Sequence, residues 1–210
     1  HRQRIGVFHC IVSSSCKNKL DLNTYFLVMF THMFGERGVS LIIMLLICCG
    51  DVHPNPGPPV VRKSDLNIIH LNVRSLKDKI DIISVEFKDY DIICITETWL
   101  HYGIPDEDIL IPGYHNPFRE DRPTRGGGVA IYVSENLICK HMATLSVVGL
   151  EAIWVKISNK NKHRLVGTFY RADKSNAYWD LIDMSIGNAA DLDLDMIIVG
   201  DFNIDYLSSH

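Results

Sequence analysis

Met196-Ile197-Ile198-Val199-Gly200-Asp201-Phe202-Asn203 is the stretch of this 210-residue chain from which its fold can be read. Four apolar residues, bounded by polar ones, have the length and composition of a buried strand. The strand delivers a carboxylate and a carboxamide two residues apart into a loop, where catalytic groups are usually mounted. Hard oxygen donors on a rigid strand end suit Mg²⁺. Aspartate and asparagine also follow strands simply to make turns, so the reading turns on partners elsewhere in the chain.

Outward from this stretch the pattern is one of strands and helices. Leu66 to Leu71 reads as a buried strand ending at Asn72, and Asp91 to Ile95 as a second that delivers Thr96-Glu97-Thr98-Trp99. Between them Ser75, with Asp78 three residues on, predicts a capped helix whose Leu76, Ile80, Ile83 and Phe87 share one face. Ile109 to Tyr114 reads as a short strand-like run bounded by Pro112-Gly113, Asn116 to Arg125 as a charged loop, and Val129 to Val133 as a strand. Leu137 to Val148 reads as one bent strand or two short ones. Glu151 to Ile157 and Leu165 to Phe169 form a strand pair around the polar turn 158–163. Ser175 to Ala190 predicts a helix with Trp179, Ile182 and Ile186 on one side. The alternation supports a layered α/β domain with a largely buried sheet.

Asn72, Glu97, and Asp201 with Asn203 thus stand at the ends of three strands. Neighbouring strand ends bring such groups together although they are far apart in sequence. A divalent ion held by Glu97 and Asp201, with Asn72 and Asn203 as neutral hydrogen-bonding partners, suits activation of a phosphoryl oxygen. Other polar residues have plainer readings. Gly126-Gly127-Gly128 lacks the Lys-Ser/Thr of a phosphate loop and leads into a strand, so it predicts a tight turn. Glu151 reads as a rim residue or an added site carboxylate. Arg119, Arg122 and Arg125 read as a solvated loop or as DNA-phosphate contacts, and Trp99 as core or as a stacking surface.

The net charge of −4 argues against a passive nucleic-acid binder. From Arg62 onward 16 Lys and Arg stand against 22 Asp and Glu, so the patterned part is the acidic part. A metal enzyme with a local basic rim still works on DNA under such a balance. The six cysteines lack C-x-x-C spacing and read as buried, inert thiols.

Residues 1–49 differ in character and read as a hydrophobic N-terminal extension. Leu20 to Phe34 is apolar but punctuated, and Val39 to Cys49 matches a signal-type apolar core while falling short of the roughly 20 residues that span a bilayer. Membrane association through residues 20–49 stands beside a hydrophobic helix without membrane role. Residues 50–63 form a Pro-rich linker. Its Asp51-Val52-His53-Pro54-Asn55-Pro56-Gly57-Pro58 resembles the 2A-like ribosome-skipping peptide, with His53 where that pattern has Glu; skipping would fall between Gly57 and Pro58.

Five motifs in order carry a further resemblance: Leu71-Asn72-Val73-Arg74-Ser75-Leu76, Ile95-Thr96-Glu97-Thr98-Trp99-Leu100, Gly126-Gly127-Gly128-Val129-Ala130-Ile131-Tyr132, Thr168-Phe169-Tyr170-Arg171 and Gly200-Asp201-Phe202-Asn203. From about residue 64 to the end the chain resembles the endonuclease/exonuclease/phosphatase superfamily. Its wording is most similar to the apurinic-type endonuclease of LINE-type non-LTR retrotransposons. The resemblance implies a four-layer αββα sandwich over 64–210, incomplete at the C-terminus, and Mg²⁺- or Mn²⁺-dependent phosphodiester cleavage. It implies Glu97 as metal ligand with Asn72 supporting it, Tyr170 at the scissile phosphate, Asp201 on the attacking water, and Asn203 and Arg171 at the substrate. It implies DNA as partner and a downstream reverse transcriptase in the full polyprotein; the sequence leaves the compartment open, the nucleus for an active retrotransposon endonuclease or a membrane through the N-terminal apolar segment. The family continues Tyr-Arg with prolines where this chain has Ala172-Asp173, and it has a later His-bearing strand motif that Ser208-Ser209-His210 stands too close to Asn203 to supply. The expectation is therefore a DNA-nicking module with little activity in this fragment. The alternatives are a non-catalytic remnant, a membrane-tethered interaction domain, or a phosphatase of the same fold.

Overall fold

Side-chain alternation along the strands sorts the chain into layers. The computed structural model describes residues 66–159, 162–172 and 175–203, together with the backbone of three N-terminal strands, β1 (Gly6–Ser14), β2 (Leu27–Thr31) and β3 (Met44–Leu46). The 2A-like peptide, and the side chains of the apolar stretches before it, lie outside the described residues. Where a hydrophobic helix was one expectation, β2 and β3 pair antiparallel, Leu27 opposite Leu46. Among the described residues no helix is long and apolar enough to cross a membrane.

The first sheet is built from β4 (Ile68–Asn72), β5 (Ile92–Thr96), β6 (Phe118–Glu120) and β7 (Val129–Val133), in the order β6-β7-β5-β4. The second comprises β8 (Ile138–His141), β9 (Glu151–Asn159), β10 (Lys162–Tyr170) and β11 (Asp195–Asp201), in the order β11-β10-β9-β8. β4 and β5 run parallel, as do β10 and β11; the other pairs within the two sheets are antiparallel. β1 pairs antiparallel with both free edges, Gly6 opposite Asn72 of β4 and Val12 opposite Ile198 of β11.

The period of two then decides which layer each residue joins. Ile92 and Cys94 of β5 meet Ile153, Val155 and Val166 in the core between the sheets, whereas Ile93 and Ile95 face outward onto Leu76 and Ile83. β9 divides likewise: Ile153 and Val155 point inward, Ala152 and Trp154 outward beneath Ile182. Helix α1 (Ile80–Glu86) covers the first sheet and α2 (Asn176–Ala190) the second. This is the four-layer αββα sandwich. Each fully buried Ile, Leu or Phe contributes about 1.5–3 kcal/mol by leaving water, so three such layers supply the stability that holds polar groups at the rim.

Several local expectations are corrected. Ser75 does not cap the first helix: it has φ 83°, its hydroxyl donates to Asp78 Oδ2 at 2.9 Å, and a 3₁₀ turn at Lys77–Lys79 intervenes before α1. Ile109 to Tyr114 is not a strand; a 3₁₀ turn over Asp106–Ile109 leads into a bend, and Tyr114 makes a lone bridge to Ser134. The charged loop 116–125 contains the edge strand β6. The second half of 137–148 is a 3₁₀ turn, Ala143–Leu145. The buried line of α2 is Tyr178, Ile182, Ser185 and Ala189, with Trp179 and Ile186 at its margin. A serine lies in that line because the buried Trp154 indole needs an acceptor: Nε1 donates to Ser185 Oγ at 2.9 Å, and the hydroxyl donates to Leu145 O at 3.1 Å.

Candidate active site

Parallel pairing puts the carboxyl ends of both members of a strand pair at the same edge, the place where open α/β sheets bind ligands. In this fold it does so twice. Asn72 pairs with Thr96 across β4 and β5, so Glu97 leaves β5 beside Asn72; Tyr170 pairs with Asp201 across β10 and β11. Packing of the two sheets brings these ends face to face.

One amide joins them. Asn72, only 6% exposed, donates through Nδ2 to Glu97 Oε1 at 3.2 Å and to Asp201 Oδ2 at 2.7 Å. The Tyr170 hydroxyl donates to the same Glu97 Oε1 at 3.2 Å. The other oxygen of Asp201 accepts the backbone N–H of Asn203 at 3.0 Å. Arg74 approaches Glu97 at 3.8 Å, but its side chain is 73% exposed, so this pair adds little. Two carboxylates are thereby held close by neutral donors. The Asn72 carbonyl oxygen beside them is buried without a hydrogen-bond partner. Two carboxylates and an orphaned amide oxygen form a hard, all-oxygen donor set of the kind that suits Mg²⁺. Among the described residues no group of three His, Cys, Asp or Glu side chains is placed to share an ion.

Burial, and then the charge of Glu97, push the Tyr170 phenol up to about 12. It therefore remains a neutral hydrogen-bond donor throughout the physiological range. Asn203 donates its Nδ2 to Arg171 O at 2.8 Å, and the Arg171 N–H donates to Asp201 O at 2.8 Å, which fixes the end of β11 against β10. Gly200 precedes this end for a steric reason: a Cβ there would collide with the Phe169 carbonyl of the adjacent strand.

Backbone strain is concentrated here. Arg74, Ser75, Glu97, Trp99 and Asn203 all have φ between 44° and 83°, a region that bulky L-residues rarely adopt. The surroundings enforce it. Ser75 N–H donates to Glu97 O at 3.0 Å, Leu76 N–H to Thr98 O at 2.9 Å, and Trp99 N–H to Gly127 O at 2.9 Å, so the Glu97 loop is laced between two others. Lys79 secures the outermost: its ammonium donates to Val73 O at 2.5 Å, Arg74 O at 2.6 Å and Ser75 O at 3.3 Å.

Thus Asn72, Glu97, Tyr170 and Asp201 come together, with Asn203 beside them. Arg171 does not join them through its side chain. Its guanidinium is buried 4.8 Å from the Trp179 ring centre and donates to Phe202 O at 3.4 Å, which supports the 201–203 turn, while its Nε is buried without a hydrogen-bond partner. Arg119 is likewise structural, bound to Asp106, Asp121 and the carbonyls of His101 and Ile104. Trp99 is half-buried, with Arg125 5.8 Å from its ring centre.

Sequence reasoning missed Lys79 and the partners of Glu151. Lys79 had a signal: it lies three residues after Leu76 and four before Ile83, on the apolar stripe, where a lysine needs a buried partner. Glu151 carried none, since its ion pair with Arg122 and its bond from Gly128 N–H span more than twenty residues.

A family model for the endonuclease/exonuclease/phosphatase family matches residues 69–209. Among solved structures, the human Nocturnin catalytic domain with bound sulfate is similar at TM-score 0.51 and 14% identity, over 70% of this chain and 67% of that one. An AP endonuclease from Archaeoglobus fulgidus gives 0.48 and 21%, over 70% and 61%. The endonuclease domain of TRAS1, a telomere-specific non-LTR retrotransposon, gives 0.47 and 14%, over 67% and 60%. The chain spans about three fifths of the length of the last two. At such identities the likeness is one of fold. No curated protein sequence matches. Nucleases and phosphatases alike hydrolyse phosphoesters, and the family match extends from β4 past the end of β11, over every site residue named above. The chain belongs to the endonuclease/exonuclease/phosphatase family.

Proposed function

We propose that this chain is a DNA endonuclease module that nicks a phosphodiester with a divalent cation, Mg²⁺ or Mn²⁺, in a retrotransposon-type polyprotein whose reverse transcriptase follows it. The observation that carries the proposal is the Asn72 amide joining Glu97 and Asp201 across the two sheets, with Tyr170 on the same Glu97 oxygen. Glu97, with the unpartnered oxygen of Asn72 beside it, would hold the cation, which when bound supplies Lewis-acid polarisation of the phosphoryl oxygen. Asp201 is oriented from both sides, by Asn72 and by Asn203 N–H, as a carboxylate must be to take a proton from an attacking water. Tyr170, kept protonated, donates toward the phosphate. Asn203 positions by its amide and takes no proton. DNA rather than a phosphomonoester follows from the LINE-type wording of the five motifs, and chromosomal DNA places the work in the nucleus.

The test is conversion of supercoiled to open-circular plasmid by the chain extended through the family's later His-bearing strand motif, with Mg²⁺ and with chelator, beside hydrolysis of a phosphomonoester. Metal-dependent nicking that is lost in Glu97→Ala and Asp201→Asn supports the reading. Equal nicking by those variants removes the site assignment, and phosphomonoester turnover without nicking selects a phosphatase instead.

A further inference from the structure

We infer that Arg122 is a phosphate clamp of this site, resting on the endonuclease reading above: it engages a DNA backbone phosphate beside the scissile one. The three arginines of loop 116–125 differ in how fully their donors are used. Arg119 has four partners, and Arg125 lies over Trp99. Arg122 is bound on one side only. Its Nε, at 2.7 Å, and its Nη2 both donate to Glu151 Oε1, while Nη1 donates to no described residue. Its Cζ lies 5.9 Å from the centre of the Tyr170 ring, and the Tyr170 hydroxyl reaches Glu97 at 3.2 Å. The guanidinium therefore stands one tyrosine ring from the carboxylate cluster.

Its support is built for precision. Glu151 is opposite Tyr170 in the β9–β10 register, its side chain is 12% exposed, and its second oxygen accepts Gly128 N–H at 2.5 Å. Tyr178 ties the same corner, its hydroxyl donating to Tyr170 O at 3.0 Å and accepting Glu151 N–H at 3.1 Å. Gly127, at φ 67°, leaves the space in which the pair lies: a Cβ there would meet the Glu151 carboxylate, and would come within 2.7 Å of the Arg122 guanidinium. The glycine turn is thus a saddle for an ion pair, not a cradle for phosphate. A half-buried ion pair is a weak device for stability. A planar fork with one face anchored and the other free is well suited to bind a phosphate oxygen.

Anisotropy of a fluorescein-labelled DNA duplex, with Ca²⁺ replacing Mg²⁺, measures the contact between 50 and 200 mM KCl. Each phosphate contact adds about 0.9 to the slope of log affinity against log salt. Arg122→Met then lowers the slope by about 0.9, losing about 3.5-fold less affinity than the unaltered chain over that fourfold salt range. Arg122→Lys keeps the slope. An unaltered slope in Arg122→Met, with folding retained, overturns the clamp and leaves the endonuclease reading intact. Absence of salt-dependent DNA binding by the unsubstituted chain overturns both.

Discussion

Replacing Lys79 by methionine keeps the length of the side chain and removes the ammonium that holds three consecutive carbonyls. The residue is 4% exposed, and burial lowers its pKa, so the structure sustains the charge at a cost. Hydrogen bonds from a charged donor contribute about 1.5–3 kcal/mol each, and three of them converge here. Desolvation of the ammonium offsets part of that sum. A buried carbonyl left without its donor costs about 1–3 kcal/mol, and about 3 kcal/mol for the three together suits a site at the sheet rim. For a domain of this size about 2–4 °C of melting temperature accompanies each kcal/mol, which gives a fall of about 10 °C for Lys79→Met. The loss is also local. Without the clamp, Arg74 and Ser75 relax from positive φ, Ser75 N–H leaves Glu97 O, and Glu97 loses its place beside Asn72. A displacement of about 1 Å at a catalytic group costs about 100-fold in rate. Thermal melting by circular dichroism, amide exchange at Ser75 and Leu76, and plasmid nicking read the three effects separately. A methionine variant that melts within 2 °C of the parent, with those amides still protected, would refute the clamp.

The other expected outcomes concern side chains that face inward. Cys94 is fully buried between the sheets and its thiol is pushed up to about 12, chiefly by burial; at pH 8 only about one molecule in 10⁴ carries the thiolate. Iodoacetamide in native buffer therefore leaves the Cys94 peptide unmodified by mass spectrometry and labels it after denaturation, and native labelling would contradict the packing of the inner core. Tyr170→Phe removes the donor to Glu97 while keeping the ring under Arg122. Nicking should fall by about 100- to 1000-fold, as for the loss of one preorganised donor to a developing oxyanion, with the melting temperature changed by less than 3 °C, and a parallel collapse of folding would make the hydroxyl a structural group.

The inner strands were legible because period-two alternation and buried β-branched runs belong to the strand itself: runs read at 91–95, 129–133 and 196–199 are strands at 92–96, 129–133 and 195–201. The site was legible for the same reason, since Asn72, Glu97, Tyr170 and Asp201 terminate such strands. What escaped depends on contacts between distant segments. Ser75 reads as a helix cap until Lys79 draws three carbonyls together and forces the loop left-handed. Phe118–Glu120 looks like part of a charged loop because an edge strand needs only β7 to define it. The packing of Arg171 on Trp179, eight residues later and on a helix, has no mark in the Tyr170-Arg171 motif itself. Arg122 lies in the loop after β6 and Glu151 opens β9, 29 positions later, so neither shows the other's presence.

Each sheet comes from one half of the chain, residues 68–133 for the first and 138–201 for the second. The Asn72 bridge spans 129 positions from one half to the other. A chain still being synthesised can fold β4 to β7 and present Asn72 and Glu97, yet it has neither Asp201 nor Tyr170 to set against them. The arrangement is thus complete only once the second sheet docks on the first, and until then Asn72 has one carboxylate to hold and not two.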